Sequence, residues 1–295
     1  MLIQTDCIPC ILNMSLAALR NVVAGQDEEK AVLEKILRVP ALKGKQWDIT
    51  SAEVVEQVMD IIIDHTGKTD PFFNEKRIQN RKLLEIYPSL QEMVNNSDDP
   101  LFTALKLAIL GNSIDAMVSH RPSSMIKGTR ARLEGMHIQK EDYVSFEETL
   151  KQCDLLVYLA DNAGEAVLDK LFIETVKTRY KVDVSYIVRS HPALNDVTVE
   201  EARQIGIAAV ARVVENGING PLPGTLLHRC SPEVRSLMGR ADLIISKGGG
   251  NFETFSNEML SEKQVTFMVL SKCAVYQRHF GVAPGDPILA NGFGA

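Results

Sequence analysis

Three short polar clusters in this chain have the residue types to do chemistry, and each follows an apolar run of strand length. The first run, Leu155 to Ala160, ends on Asp161-Asn162-Ala163-Gly164-Glu165. In an α/β sheet, ligands collect beyond the carboxyl ends of the strands. A carboxylate and an amide side by side are hard oxygen donors, better suited to Mg²⁺ or Mn²⁺ than to zinc. An isolated Asp-Asn pair also makes an ordinary turn whose Asp caps the next helix, but two further clusters at equivalent positions favour a site. The second run, Asp183 to Val188, leads into Arg189-Ser190-His191 and, a few residues on, Asn195-Asp196-Val197-Thr198. That places a second carboxylate, Asp196, before a helix, with Arg189 and His191 beside it as possible phosphate contacts. The third run, Leu243 to Ser246, meets Lys247-Gly248-Gly249-Gly250-Asn251-Phe252-Glu253. Glycines permit close backbone approach, the N–H groups of a helix start point at an anion, and a lysine adds a point charge, so this segment can cradle a phosphate. It can equally be a plain turn, and it is neither a Walker sequence nor G-x-G-x-x-G.

The elements that must position these clusters change in kind along the chain. Residues 8–24 carry apolar side chains at helical spacing and stop at Gly25. Thr50 and Glu53 form a capping box before a helix that Gly67 ends, and Asp70-Pro71 and Asp99-Pro100 each read as an N-cap followed by proline. Pro88 is expected to end or kink the helix between them. From about residue 150, strands at 154–160, 182–188, 208–214, 241–246 and 265–270 alternate with helices near 164–178, 198–206, 231–238 and 252–261. That alternation predicts a Rossmann-like, mostly parallel α/β sheet with helices on both faces, following an all-helical N-terminal region. The expected division is 1–120 for the helical region and 121–295 for the α/β core, with the pattern weakest between 120 and 150.

Composition removes several classes of function. Charged residues are 24% of the 295 and net charge is −6, with no basic stripe interleaved with aromatics, so no nucleic-acid partner is expected. The first residues lack the basic and apolar regions of a secretory signal, and no apolar run reaches the roughly 18 to 20 residues of a membrane span. Five cysteines, an odd count, point to reduced thiols. These features together lead us to expect a cytoplasmic enzyme with no membrane partner.

The three clusters, taken together and in order, resemble the DUF89 damage-control phosphatases. The likeness is to the prokaryotic branch with an N-terminal Cys-x-x-Cys, here Cys7-Ile8-Pro9-Cys10. Gly111-Asn112-Ser113-Ile114-Asp115, Pro223-Gly224-Thr225 and Lys272-Cys273 resemble further motifs of that branch. The resemblance implies a divalent-metal-dependent phosphatase acting on a small phosphorylated, possibly damaged metabolite, with one Mn²⁺, Mg²⁺, Co²⁺ or Ni²⁺ ion. It carries metal ligation onto Asp161, Asn162 and Asp196, and phosphate contact onto Lys247, with Asn251 in the same loop. The catalytic set is then Asp161, Asp196 and Lys247. Asp161 would serve as metal ligand only, or also as a nucleophile forming an aspartyl-phosphate. Two departures bear on substrate fit: Ser190 stands where the family often has Gly, and Gly249 where it often has Gln. A non-hydrolytic nucleotide or cofactor binder, or a methyltransferase on the same core, is the alternative class.

Other residues have two readings each. Asn112 and Asp115, three apart on one helix face, could bind substrate or cap the helix. Glu165 could orient a ligand or favour its helix start electrostatically. With Arg189, Gly248, Gly249, Gly250 and Asn251, these make up the candidate substrate-binding set. Cys7 and Cys10 could be structural, a redox pair or half of a structural zinc site; separate from the strand ends, they are expected to stand apart from catalysis.

Overall fold

The computed structural model describes residues 1–113, 122–255 and 264–292. Helices dominate the first half: α1 (Cys7–Val22), α2 (Gln26–Ile36), α3 (Ser51–Thr66), α4 (Phe73–Asn95), α5 (Pro100–Leu110), α6 (Pro122–Gly135) and α7 (Lys140–Lys151). Strands and helices then alternate: β1 (Leu155–Leu159), α8 (Glu165–Arg179), β2 (Asp183–Val188), α9 (Val199–Ile205), β3 (Arg212–Glu215), α10 (Pro232–Arg240), β4 (Leu243–Lys247), α11 (Gly248–Thr254), β5 (Val265–Leu270), α12 (Ala274–Phe280) and β6 (Pro287–Asn291). The strands form one six-stranded sheet in the order β3-β2-β1-β4-β5-β6. All neighbours are parallel except β5 and β6. The sequence therefore predicted the fold class correctly. From β1 the chain winds outward through β2 to β3, then returns to the other side of β1 for β4. That reversal puts the topological switch point, where α/β sheets bind their ligands, between the carboxyl ends of β1 and β4.

Both faces of the sheet are covered, which explains why the strands read as unbroken apolar runs. Side chains alternate between two cores. Leu156, Tyr158, Val184, Tyr186, Leu243 and Ile245 join a core shared with α4, α5 and α8. Val157, Leu159, Ile187, Ile244 and Phe267 join the opposite core with α10 and α11. A third cluster, led by Ile11, Leu19, Val32, Val58 and Ile62, holds α1, α2 and α3 together. Helices α4 and α5 contribute their apolar side chains to the core of the sheet rather than to this third cluster. The helical stripe of the sequence shows which face of α5 is apolar, but not which partner covers it.

Several local expectations hold and several change. Thr50 and Glu53 do form a capping box, and Asp99 does cap α5 with Pro100 in its first turn. Asp70, by contrast, accepts a bond from the Phe72 N–H at 3.1 Å, and helix α4 starts two residues beyond Pro71. The same helix continues through Pro88 to Asn95, so the proline does not end it. Tertiary packing through Leu83, Ile86, Leu90 and Val94 offsets the hydrogen bond that the proline cannot make. The third strand is shorter than predicted because residues 207–209 form a 3₁₀ turn. Helix α11 begins directly at the end of β4 rather than at 252. The edge strand β6 lacks a predicted counterpart; it is short, starts on a proline and pairs antiparallel, so it carries little sequence signal. Where the sequence pattern is weakest, the chain forms two helices, α6 and α7.

The core around α8 is a direct test of this packing. Phe172 is fully buried, 6.3 Å from the rings of both Phe146 and Tyr158. Phe172→Ala should lower unfolding free energy by about 3–5 kcal/mol, since the cavity sits between rigid elements. Urea denaturation followed by circular dichroism reads this out; a loss below about 1 kcal/mol would contradict the assigned packing.

Candidate active site

The loops after β1 and β2 are stitched to each other before either reaches its helix. The Ala163 N–H donates to the Asn195 carbonyl and the Val197 N–H to the Asp161 carbonyl, both at 2.8 Å, and Asn162 and Asp196 form an isolated antiparallel bridge. This stitching forces Asp161 and Asp196 together. Gly164, with φ +72°, lets the chain turn from Asn162 into α8. Its N–H donates to the buried Asn80 Oδ1 at 2.6 Å, so α4 clamps the loop from behind. Asn80 gave no sequence signal; it is an ordinary amide within a helical stripe.

Gly248 is the first residue of α11, at φ +72°. A Cβ there would overlap the Asp161 carboxylate, so only glycine lets the β4 end approach β1 this closely. Gly249 lies against the Tyr276 hydroxyl and Gly250 against the Pro223 carbonyl. The triple glycine is therefore a close-packing device on all three residues. Gly249 and Gly250 also line a cavity of about 270 Å³ above the strand ends, with Asn112, Asp161, Asn162 and Asp196 on its floor.

The remaining predicted residues do not line that cavity. Lys247 is fully buried: its Nζ lies 2.6 Å from both Glu165 Oε1 and Asp169 Oδ1 and donates to the Ala108 carbonyl at 2.8 Å. The expected contact between Lys247 and a substrate phosphate is not what the structure places there; strand alternation points its side chain into the core shared with α5 and α8. Arg189 is likewise buried, donating from Nε to Asp196 Oδ2 at 2.7 Å and from Nη1 to Asn251 Oδ1 at 3.0 Å. Asn251 is equally committed, its Nδ2 donating to the Ala160 and Lys247 carbonyls at 2.8 Å and its Oδ1 also accepting from Thr225. Arg189 and Asn251 are thus braces for Asp196 and the β1 end. Glu165 is fully buried beneath the floor. His191 is exposed outside the cavity, and Asp115 lies outside the described residues.

Two residues quoted in motifs, but given no role there, line the site. Lys272, after β5, is an exposed cation bordering the cavity, and Glu253 is a carboxylate in its wall, held by the hydroxyls of Tyr276 and Ser51. Cys7, Cys10 and Cys273 also line this cavity, so the expectation that the thiols stand apart from the strand ends is corrected. Arg278 in α12 binds Asp6 Oδ2 at 2.6 Å, tying the start of α1 to the C-terminal segment that carries Cys273. Burial pushes the Cys7 and Cys10 thiols up, which keeps them protonated. Among the described residues no group of three or more His, Cys, Asp or Glu is arranged to hold a metal, so the structural zinc expected at Cys7 and Cys10 gains no support.

The floor has the character of a hard-cation site all the same, with two carboxylates and an amide as donors. Burial, then the neighbouring carboxylates of Asp196 and Glu165, push Asp161 well above the usual range, against the pull of Arg189 and Lys272. Asp196 is raised too, chiefly by burial, with Arg189 opposing. Among the described residues, every hydrogen bond to these two carboxylates falls on Oδ2: from Asn112 at 3.0 Å and Asn162 at 2.6 Å for Asp161, from Arg189 for Asp196. Both Oδ1 atoms are left over. Asn162 donates its amide N–H groups to Asp161 and to Glu165 Oε2, at 3.0 Å for the latter, which leaves its carbonyl oxygen as a third donor. Two carboxylates and an amide oxygen fit a Mg²⁺-like ion and leave positions for water and substrate.

Fold and site together define a Rossmann-like α/β protein with paired acids at its switch point. A family model described as the damage-control phosphatase ARMT1-like domain matches residues 3–288, and the chain belongs to that family. The resemblance read from the motifs thus holds across the chain. It is 27% identical to a damage-control phosphatase of Archaeoglobus fulgidus over 294 residues, 98% of each chain. A damage-control phosphatase of Pyrococcus horikoshii is 25% identical over 287 residues, 97% of this chain and 96% of that one. A crystal structure of a DUF89 family protein from Pyrococcus horikoshii shares the fold, with TM-score 0.88, 23% identity, and coverage of 99% of this chain and 100% of the other.

The raised acids make a prediction with a definite sign. A carboxyl whose folded pKa lies above its ordinary value of about 3.9 favours folding below that value, and the benefit is lost as pH rises through the raised one. The metal-free protein should therefore lose stability as pH rises from about 4 toward neutrality. Asp161→Asn should raise the metal-free Tm at pH 7.5 and narrow that advantage at pH 4.5, by about 2–4 °C for each kcal/mol relieved. Thermal unfolding in the presence of a chelator checks this; an unchanged or lower Tm at pH 7.5 would contradict it.

Proposed function

We propose that this chain is a metal-assisted phosphomonoesterase acting on a compact phosphorylated metabolite. The observation that carries the reading is the pair of buried acids from successive strand ends, each with Oδ1 unspent, facing one small cavity that Lys272 borders. The names of the relatives, damage-control phosphatases, support a phosphatase that clears damaged metabolites. The cavity, at about 270 Å³, falls just below the roughly 300–1,000 Å³ of drug-sized ligand sites, which favours a small ester over a dinucleotide. A phosphate-bearing nucleotide seated on two buried carboxylates without a cation would be repelled, which disfavours the non-hydrolytic nucleotide binder.

Asp161, Asn162 and Asp196 would hold the divalent ion, Mn²⁺, Mg²⁺, Co²⁺ or Ni²⁺, and when bound it would supply Lewis-acid neutralisation of phosphoryl charge. The protein's own groups do the rest. Asn112 and Asn162 fix Asp161 by its Oδ2, and Arg189 fixes Asp196 in the same way, so neither carboxylate must reorganise on binding. Lys272 stands at the mouth, where a point charge can meet phosphoryl oxygens as charge develops on them. Gly249 and Gly250 contribute backbone to the wall and let it pack against Tyr276 and Pro223. Ile11, Met14, Val55 and Leu194 form an apolar side against which the organic part of the ester can lie and exclude water.

Release of phosphate from a panel of small phosphoesters, with and without each of the four cations, tests the reading. Wild type should be active only with a cation. Lys272→Ala should lower kcat/KM by about 10²–10³, the usual worth of one electrostatic donor at a reacting centre, while Mn²⁺ affinity is retained. Absence of phosphate release from every ester with every cation would overturn the proposal.

A further inference from the structure

Lys247 is the largest unexplained commitment in the molecule: a lysine with no exposed surface, at the end of the central strand β4, directly before the glycines that border the cavity. Its contacts run toward the floor in a chain. Nζ grips Glu165 Oε1 at 2.6 Å; Glu165 Oε2 accepts the amide N–H groups of Asn162 at 3.0 Å and Asn112 at 3.2 Å; both amides also donate to Asp161 Oδ2. On its other side Nζ meets Asp169 Oδ1 at 2.6 Å, and Asp169 is fixed by the hydroxyls of Tyr158 at 2.7 Å and Tyr186 at 2.8 Å. An ammonium shut in the core would ordinarily lose its proton; the Asp169 and Glu165 carboxylates overcome burial and hold Lys247 above its usual range. With Nζ on Oε1 and both amides on Oε2, the Glu165 carboxylate is held at one orientation.

An asparagine amide can present either its oxygen or its nitrogen to a cation, and only the oxygen binds. For Asn162 that choice is made by its two acceptors. With Asp161 Oδ2 and Glu165 Oε2 both demanding N–H donors, the carbonyl oxygen is the one group left unspent. We propose that Lys247 is a positioning residue for metal capture: by fixing the Glu165 carboxylate at one orientation it sets the amide orientation of Asn162 and Asn112, and with it the donor face offered to the cation. This deepens the metal-assisted reading of the same site and rests on it. It assigns Lys247 no contact with the phosphate, the task that falls to the cavity-facing Lys272.

Three roles for Lys247 separate cleanly. As an anchor of the amides, its loss weakens the metal. As a phosphate ligand, its loss raises KM and leaves metal affinity alone. As a core brace only, its loss lowers Tm and changes neither. Charge alone acts in the opposite direction, because removing a cation should draw Mn²⁺ in more tightly. The test uses the full-length protein and measures Mn²⁺ binding by calorimetry and by the resonance signal of free Mn²⁺, with no reliance on turnover. Lys247→Met should weaken Mn²⁺ binding by about 10- to 100-fold, the usual effect of removing a partner that orients a metal ligand. At saturating Mn²⁺, kcat should fall while KM stays at the wild-type value.

The double variant Lys247→Met/Asp169→Asn keeps the net charge of the buried cluster and leaves Glu165 unsupported, so it serves if the single variant folds poorly. It should show the same loss of Mn²⁺ affinity. Wild-type or tighter Mn²⁺ binding in a folded form of either variant would overturn the proposal, as would failure of wild type to bind Mn²⁺. If wild type binds Mn²⁺ and the variants weaken it, but no ester releases phosphate, the positioning role stands and the phosphatase reading fails.

Discussion

Burying like charges together is the constraint around which the rest of this molecule is arranged. Asp161 and Asp196, beyond the ends of β1 and β2, and Glu165 and Asp169, in the start of α8, all lie out of water, where each would cost several kcal/mol if left unpaired. Two buried cations answer them from opposite sides: Lys247 between Glu165 and Asp169, and Arg189 against Asp196. The balance is deliberately incomplete at Asp161, which borrows hydrogen bonds from two amides but has no cation in direct contact among the described residues. Its carboxyl is accordingly pushed well up, by burial first and by Asp196 and Glu165 next. A centre left short of positive charge in a water-poor cleft is the electrostatic preparation that a divalent ion and a phosphoryl group require.

The packing follows from that arrangement. Bringing β4 close enough for Lys247 to reach Glu165 and Asp169 places the next backbone atoms against Asp161, and only Gly248 fits there. The end of α5 must also come down onto α8: Gly111 lies against Glu165 and Leu168, so that Asn112 can reach two carboxylates at once. This is why α5 is apolar on nearly all sides and why it sits in the core of the sheet. The helical first half is not an independent attachment. It supplies Asn80 behind the loop after β1, Asn112 on the cavity floor, and the thiols and apolar side chains of α1 on the cavity wall.

Much of this was legible in the amino-acid sequence. Strand-length apolar runs followed by Asp161, by Arg189 with Asp196 in the same loop, and by Lys247 are local patterns, and parallel neighbouring strands bring such patterns together because their ends face the same way. Composition and the alternation of periods gave the fold class, and motif order gave the family. Residue type identified Asp161, Asn162 and Asp196 as hard oxygen donors before any geometry was known.

What only the tertiary structure decided is the direction in which each side chain is spent. Lys247 and Lys272 are both lysines beside a strand end, yet one points into the core and the other to the cavity mouth, since strand pleating and the facing helix set direction. Arg189 and Asn251 have the chemistry of phosphate ligands, but Arg189 spends Nε on Asp196 and Nη1 on Thr225 and Asn251, and Asn251 spends its amide on Arg189, Thr225 and backbone carbonyls brought from distant segments. Asn80 carries no mark in the sequence that links it to Asp161, because what joins them is contact across packed elements. Local residue order determines which groups arrive at the strand ends; long-range packing determines which of them still have an open valence when they get there.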